Sequence, residues 1–146
     1  MEIVAGLIAT IAIIGLGYAT RQGRSLAFYG SLLIVIALGY VLFAAMAGVP
    51  RTIGIESAIA AVFIGIAVAA TRWENVRTAG VLMATGLAAH GVYDLVHAAV
   101  VANPVVPAWW PLFCGIVDLL LGTWLIVLLG RGLLATPPAE EALRSS

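Results

Sequence analysis

Residues 79–101 read AGVLMATGLAAHGVYDLVHAAVV. The stretch is long and apolar enough to cross a bilayer as a helix, since about 20 residues rising 1.5 Å each cover roughly 30 Å of hydrocarbon. Yet it carries His90, Asp94 and His97 in the segment HGVYDLVH. Ionisable side chains at that depth are expensive, so they face a protein interior and mark function. A spanning helix with such a face needs neighbouring helices to cover it.

Those neighbours lie on either side. Apolar runs cover residues 3–20, 26–47, 53–71 and 109–130, and the chain as a whole is 63% hydrophobic and only 10% charged. Soluble domains carry roughly a quarter charged residues. The fold class read from this pattern is all-α, an integral membrane bundle of five transmembrane helices over residues 1–134. Residues 135–146, ending in TPPAEEALRSS, read as a flexible cytoplasmic tail. The first run has Glu2 before it and Arg21 and Arg24 after it, the reverse of a cleaved signal, so it is expected to stay as a helix. Arg21, Arg24, Arg72, Arg77, Arg131 and Arg144 fall on one side of the membrane and Arg51 on the other. The positive-inside rule then places the N-terminus outside and the C-terminus in the cytoplasm. All seven basic residues are arginine amid abundant Ala, Gly and Val, a composition of GC-rich bacterial genomes, so the expected location is the bacterial cytoplasmic (inner) membrane.

Net charge is zero, with no basic patch, which gives nucleic acid no surface to bind. The one cysteine, Cys114, excludes an intrachain disulfide and a multi-cysteine zinc motif. Small residues recur at helical spacing as Ala58, Ala61, Gly65 and Ala69, and again as Gly80, Ala84 and Ala88. Such ridges let helices approach closely in lipid, and they predict close contact between the third and fourth helices. The segment ANPVVPAWWP, residues 102–111, ends the fourth helix and sets the start of the fifth. Trp109 and Trp110 fit the outer interface and Trp73 the inner one. No internal repeat is visible, which removes support for an inverted-repeat transporter.

Depth brings the polar residues together. At about 1.5 Å per residue, Asp94 and Asp118 each lie roughly 12 Å below the outer helix ends, with His97 shallower and His90 deeper. Glu56 joins the same layer from the third helix. Positions 90, 94 and 97 share one helical face, and an antiparallel hairpin would bring Asp118 to it. Cys114, one turn from Asp118, and Tyr93, beside Asp94, are candidates for the rim. Imidazole with carboxylate suits Zn(II), Fe(II) or Mn(II), so the cluster reads as a divalent metal site with His90, Asp94, His97, Asp118 and Glu56 as candidate ligands. His90 and His97 stand about 10.5 Å apart along the axis. A single ion is therefore expected on Asp94 and His97, with Asp118 or Glu56, while His90 reaches down to it or binds a second ion. A bland alternative stays open, in which the histidines only hydrogen-bond the aspartates and fix helix register, Glu56 pairs with Arg51, and Cys114, Tyr93 and Tyr40 serve packing or the membrane interface.

From Arg51 to about Trp124 the pattern Glu56…Phe63…Gly86…His90-x-x-Tyr93-Asp94-x-x-His97…Asn103-Pro104…Pro107…Pro111…Cys114…Asp118 resembles the small bacterial membrane proteins of the DUF6010 family, whose function is unknown. The family pattern is closer to H-x-x-W-D-x-x-H-H, whereas this chain has Tyr93 for the tryptophan and Ala98 for the last histidine. The resemblance implies no established activity, so function is argued from the residues. The leading expectation is a metal-dependent membrane enzyme acting on a lipid or other lipophilic small molecule. Asp94, His97 and Asp118 would be ligands, His90 a ligand or general base, and Glu56 a ligand or proton carrier. The alternatives are a proton-coupled transporter or relay, and a noncatalytic subunit of a larger membrane complex or a homo-oligomer. A transporter needs a polar path through the inner half, which offers little beyond Tyr18, Thr20, Ser31 and Thr85.

Overall fold

The computed structural model describes residues 1–135, so the tail read from the sequence lies outside the described residues but for Ala135. Five helices follow one another: α1 Glu2–Ala19, α2 Leu26–Ala47, α3 Pro50–Arg72, α4 Val76–Val100 and α5 Trp110–Gly130. Each is long and apolar enough to cross a membrane. Helices α3 and α4 begin three residues before the hydropathic runs that announce them. Pro50 opens α3 because the first turn has N–H groups to spare. The Asn75 side chain caps α4 by accepting the Thr78 amide at 3.0 Å. Both extra turns carry an arginine, Arg51 and Arg77, which is why hydropathy alone stops short of them.

Helix α4 sits in the middle. It packs along α5 on one side and against α3 and α2 on the other; α2 and α3 form a close pair, and α1 covers the outer side of α5. Burial follows this order, with half of α4's most apolar window buried against 17% of that of α1.

The small-residue ridges do not pair as expected. Ala58, Ala61, Gly65 and Ala69 are all exposed on the outside of α3, and Gly65 has open space beside it. The buried face of α3 is instead Thr52, Glu56, Ala60, Phe63, Ala67 and Ala70. On α4 the ridge faces α5, because a Cβ on Gly122 would stand 3.0 Å from the Ala84 carbonyl and 3.6 Å from Ala88 Cβ, and one on Gly80 would meet Leu129 and Leu134. A polar residue outranks a small one as a marker of the inward face here. Burying Glu56 dictates the rotation of α3, and the alanines next to it in the sequence turn to lipid.

The two ends of the bundle differ in chemistry. At the end where the α1–α2 turn meets the segment after α5, with Ala135 N–H donating to the Arg24 carbonyl at 2.8 Å, the core is Leu26, Tyr29, Met83, Leu121, Leu125 and Leu128. At the other end, beneath the α4–α5 connection, lie Glu56, His90, Asp94, His97, Asn103 and Asp118, all buried.

Candidate metal centre

The α4–α5 hairpin places two aspartates face to face by means of two glycines. Gly91-Val-Tyr-Asp94 on α4 and Gly115-Ile-Val-Asp118 on α5 have the same spacing and run antiparallel. A Cβ on Gly91 would stand 3.0 Å from the Gly115 carbonyl and 3.2 Å from Asp118 Cβ; one on Gly115 would stand 3.1 Å from the Gly91 carbonyl and 3.4 Å from Asp94 Cβ. Each aspartate thus packs on the bare backbone of the opposite helix. The glycines permit the close approach, and the approach brings the carboxylates together.

His90, one turn before Asp94, completes the group. Its Nδ1 lies 2.7 Å from Asp118 Oδ2 and 3.5 Å from Asp94 Oδ2. One donor atom from each of His90, Asp94 and Asp118 lies within 4.8 Å of the other two. Donors about 2.1 Å from one ion at tetrahedral angles stand about 3.4 Å apart, so the arrangement needs only small side-chain rotations to enclose an ion. All three residues are at most 1% exposed, and Asp94 Oδ1, Asp94 Oδ2 and Asp118 Oδ1 have no hydrogen-bond partner among the described residues. An orphaned buried carboxylate is among the costliest states a side chain can adopt. These oxygens could meet an ion.

The other two expected ligands form a separate group that is already satisfied. His97 Nε2 meets Glu56 Oε1 at 2.8 Å, the Tyr93 hydroxyl donates to Glu56 Oε2 at 2.8 Å, and the Asn103 amide donates to Glu56 Oε1 at 3.2 Å and to the Tyr40 carbonyl at 3.3 Å. The cluster therefore joins α3, α4 and the α4–α5 connection. Glu56 pairs with His97 in place of the Arg51 partner that the bland reading would give it. A cavity of about 530 Å³ opens above this group, lined by His97, Asn103, Val101, Val106, Pro107 and Pro111.

The geometry thus divides the five residues differently from the sequence expectation. It puts His90, rather than His97, beside the two aspartates. Side chains on a helix lean toward its N-terminus, so Asp94 leans toward His90, and Glu56 engages the His97 imidazole from the neighbouring helix. Cys114 is buried one turn before Asp118 but falls outside the group of donors close enough to share an ion. Two residues gain roles that the sequence reading did not assign to them. Asn103 ties the connection to Glu56, and Tyr40 stacks its ring on His97 with centroids 3.9 Å apart and planes 12° from parallel. The one signal for Tyr40 was a hydroxyl in an otherwise apolar stretch of α2. Phe63 closes the far side, its ring centroid 4.7 Å from that of His90. No family model, curated protein or solved structure matches the chain, so the chemistry of the site is read from its own geometry.

Proposed function

We propose that the protein is a multi-pass protein of the bacterial inner membrane that holds one divalent metal ion, Zn(II), Fe(II) or Mn(II), on His90, Asp94 and Asp118 in the outer half of the bilayer. The observation that carries the reading is the contrast between the carboxylates. Glu56 accepts from three donors, whereas Asp94 is fully buried with neither oxygen partnered. A purely structural polar core would distribute its donors over both. The nitrogen and oxygen donor set suits those three ions better than softer ones such as Cu(I). A bound ion of this kind supplies Lewis-acid chemistry toward an oxygen-bearing substrate.

The proposal extends to a lipophilic small molecule as substrate, approaching from the cavity at His97, with His90 among the ligands and the Glu56–His97 pair available to carry a proton. The grouping of this chain with the DUF6010 family is likewise a proposal, resting on the residues that carry the resemblance, among them Glu56, His90, Asp94, Asn103 and Asp118. The relay alternative has less support, because Met83, Leu87, Leu121, Leu125 and Leu128 fill the bundle beyond His90.

The test is elemental analysis by plasma mass spectrometry on protein purified without chelator, wild type beside Asp94→Asn. The substitution keeps shape and removes the anion. Wild type should carry near-stoichiometric Zn, Fe or Mn, and Asp94→Asn should be folded and empty. A wild type that stays empty on titration with all three ions would defeat the metal reading.

A further inference from the structure

Tyr40 packs against both polar groups. It sits on α2, is 2% exposed, and its hydroxyl has no hydrogen-bond partner. Asp94 stands between His90 and His97 on the buried face of α4, and the Tyr40 ring faces both histidines. That ring lies flat on His97, edge-on to Tyr93 at 5.6 Å, and 6.4 Å from the His90 ring, while the Tyr40 backbone carbonyl accepts from Asn103. A tyrosine kept only for packing would leave its hydroxyl at a surface or bonded to a carbonyl, as Tyr29 does on the same helix by donating to Gly23 at 2.9 Å. Tyr40 instead leaves a buried donor unpaired among the described residues, in the same polar layer as the unpaired oxygens of Asp94.

We propose that Tyr40 is a positioning residue of the metal centre: its hydroxyl donates to Asp94 and fixes that carboxylate as a ligand, and its ring and carbonyl tie this orientation to the Glu56–His97–Asn103 group. The proposal rests on the metal reading above. Partners that hold a ligand in place are typically worth 10- to 100-fold in metal affinity. The stacked ring also explains how the outer group and the metal group stay in register although no hydrogen bond joins them directly.

Cobalt(II) serves as the probe, because its visible absorption reports ligand geometry independently of any activity. Full-length wild type, Tyr40→Phe, Asn103→Ala and Tyr29→Phe are titrated with cobalt in detergent. Tyr40→Phe keeps the ring on His97 and should bind cobalt about 10-fold or more weakly, with an altered spectrum per bound ion. Asn103→Ala, which frees the Tyr40 carbonyl, should shift affinity in the same direction, and the double variant should lose less than the product of the two single losses, since both act through one side chain. Tyr29→Phe should match wild type. Identical affinity and spectrum in wild type and Tyr40→Phe would overturn the role of Tyr40 while leaving the metal site intact. A wild type that binds no cobalt would overturn the metal reading itself. Should Tyr40→Phe not fold, Asn103→Ala alone decides, and an unchanged affinity there counts against the proposal.

Discussion

Replacing Gly91 with alanine adds one methyl group at the tightest point between α4 and α5, and the consequence can be worked out. The new Cβ would stand 3.0 Å from the Gly115 carbonyl oxygen, 3.0 Å from Leu119 Cγ and 3.2 Å from Asp118 Cβ. Ordinary contact begins near 3.4 Å. All three atoms belong to α5, and none is the free end of a flexible side chain. The helix as a whole must therefore withdraw by about 0.4 Å, taking Asp118 with it. Overpacking of this kind costs about 1–3 kcal/mol, of which alanine's better helix propensity offsets roughly 0.5–1 kcal/mol. The net loss of stability is about 0–2.5 kcal/mol. The effect on the ion is larger in proportion, since metal–ligand distances are held to about ±0.2 Å and the displacement falls between His90 and Asp94 on one helix and Asp118 on the other.

Gly91→Ala should thus bind cobalt at least about 10-fold more weakly than wild type while losing no more than about 2.5 kcal/mol of stability in mixed micelles. Gly65→Ala is the matching control: the same change on the exposed side of α3, with nothing within 4 Å of the new methyl. It should leave both quantities unchanged. If Gly91→Ala bound cobalt like Gly65→Ala, the inference that the glycine seam sets the metal geometry would be refuted.

Two further predictions separate other parts of the reading. His97→Ala removes one of three donors from Glu56 but no member of the His90–Asp94–Asp118 group, so it should retain its ion with a loss of no more than about 10- to 100-fold; a variant empty at saturating metal would return His97 to the ligand set. For topology, a C-terminal alkaline phosphatase fusion should be inactive and a C-terminal fluorescent protein bright, as the arginine distribution requires, and active phosphatase would invert the membrane side on which the site lies.

The number of helices and their approximate limits were legible because hydropathy over some 20 residues is a strong signal in a chain this apolar. Their rotations were not. Every helix is apolar nearly all round, so a moment picks out no inward face, and of the two small-residue ridges the one on α4 faces α5 whereas the α3 ridge from Ala58 to Ala69 points outward. The paired G-x-x-D spacing of α4 and α5 was the available clue to the seam. It was readable only by laying the two helices antiparallel and asking which small residues would let the aspartates meet.

The membership of the polar layer could be read from depth alone, because Glu56, His90, Asp94, His97 and Asp118 have few alternatives in lipid to facing one another. Its division into two groups could not, since it depends on partners that sequence spacing does not reveal. Asn103 reaches Glu56 across 47 residues and Tyr93 does so across 37. Once these donors and His97 are committed to Glu56, Asp94 is left with the His90 imidazole at 3.5 Å and no hydrogen-bond partner among the described residues, and that imbalance is what makes a polar core a candidate site. The same imbalance explains why a single substitution can be decisive. Asp94→Asn supplies its own N–H donor and removes the charge, so it relieves the unsatisfied state without any ion, and a protein that needed only a neutral, hydrogen-bonded residue there would be stabilised by it. A metal centre would instead lose its ion with Asp94→Asn and, with it, the stability that the bound ion gives wild type, so measuring unfolding and metal content on the same preparation distinguishes the two roles of one carboxylate.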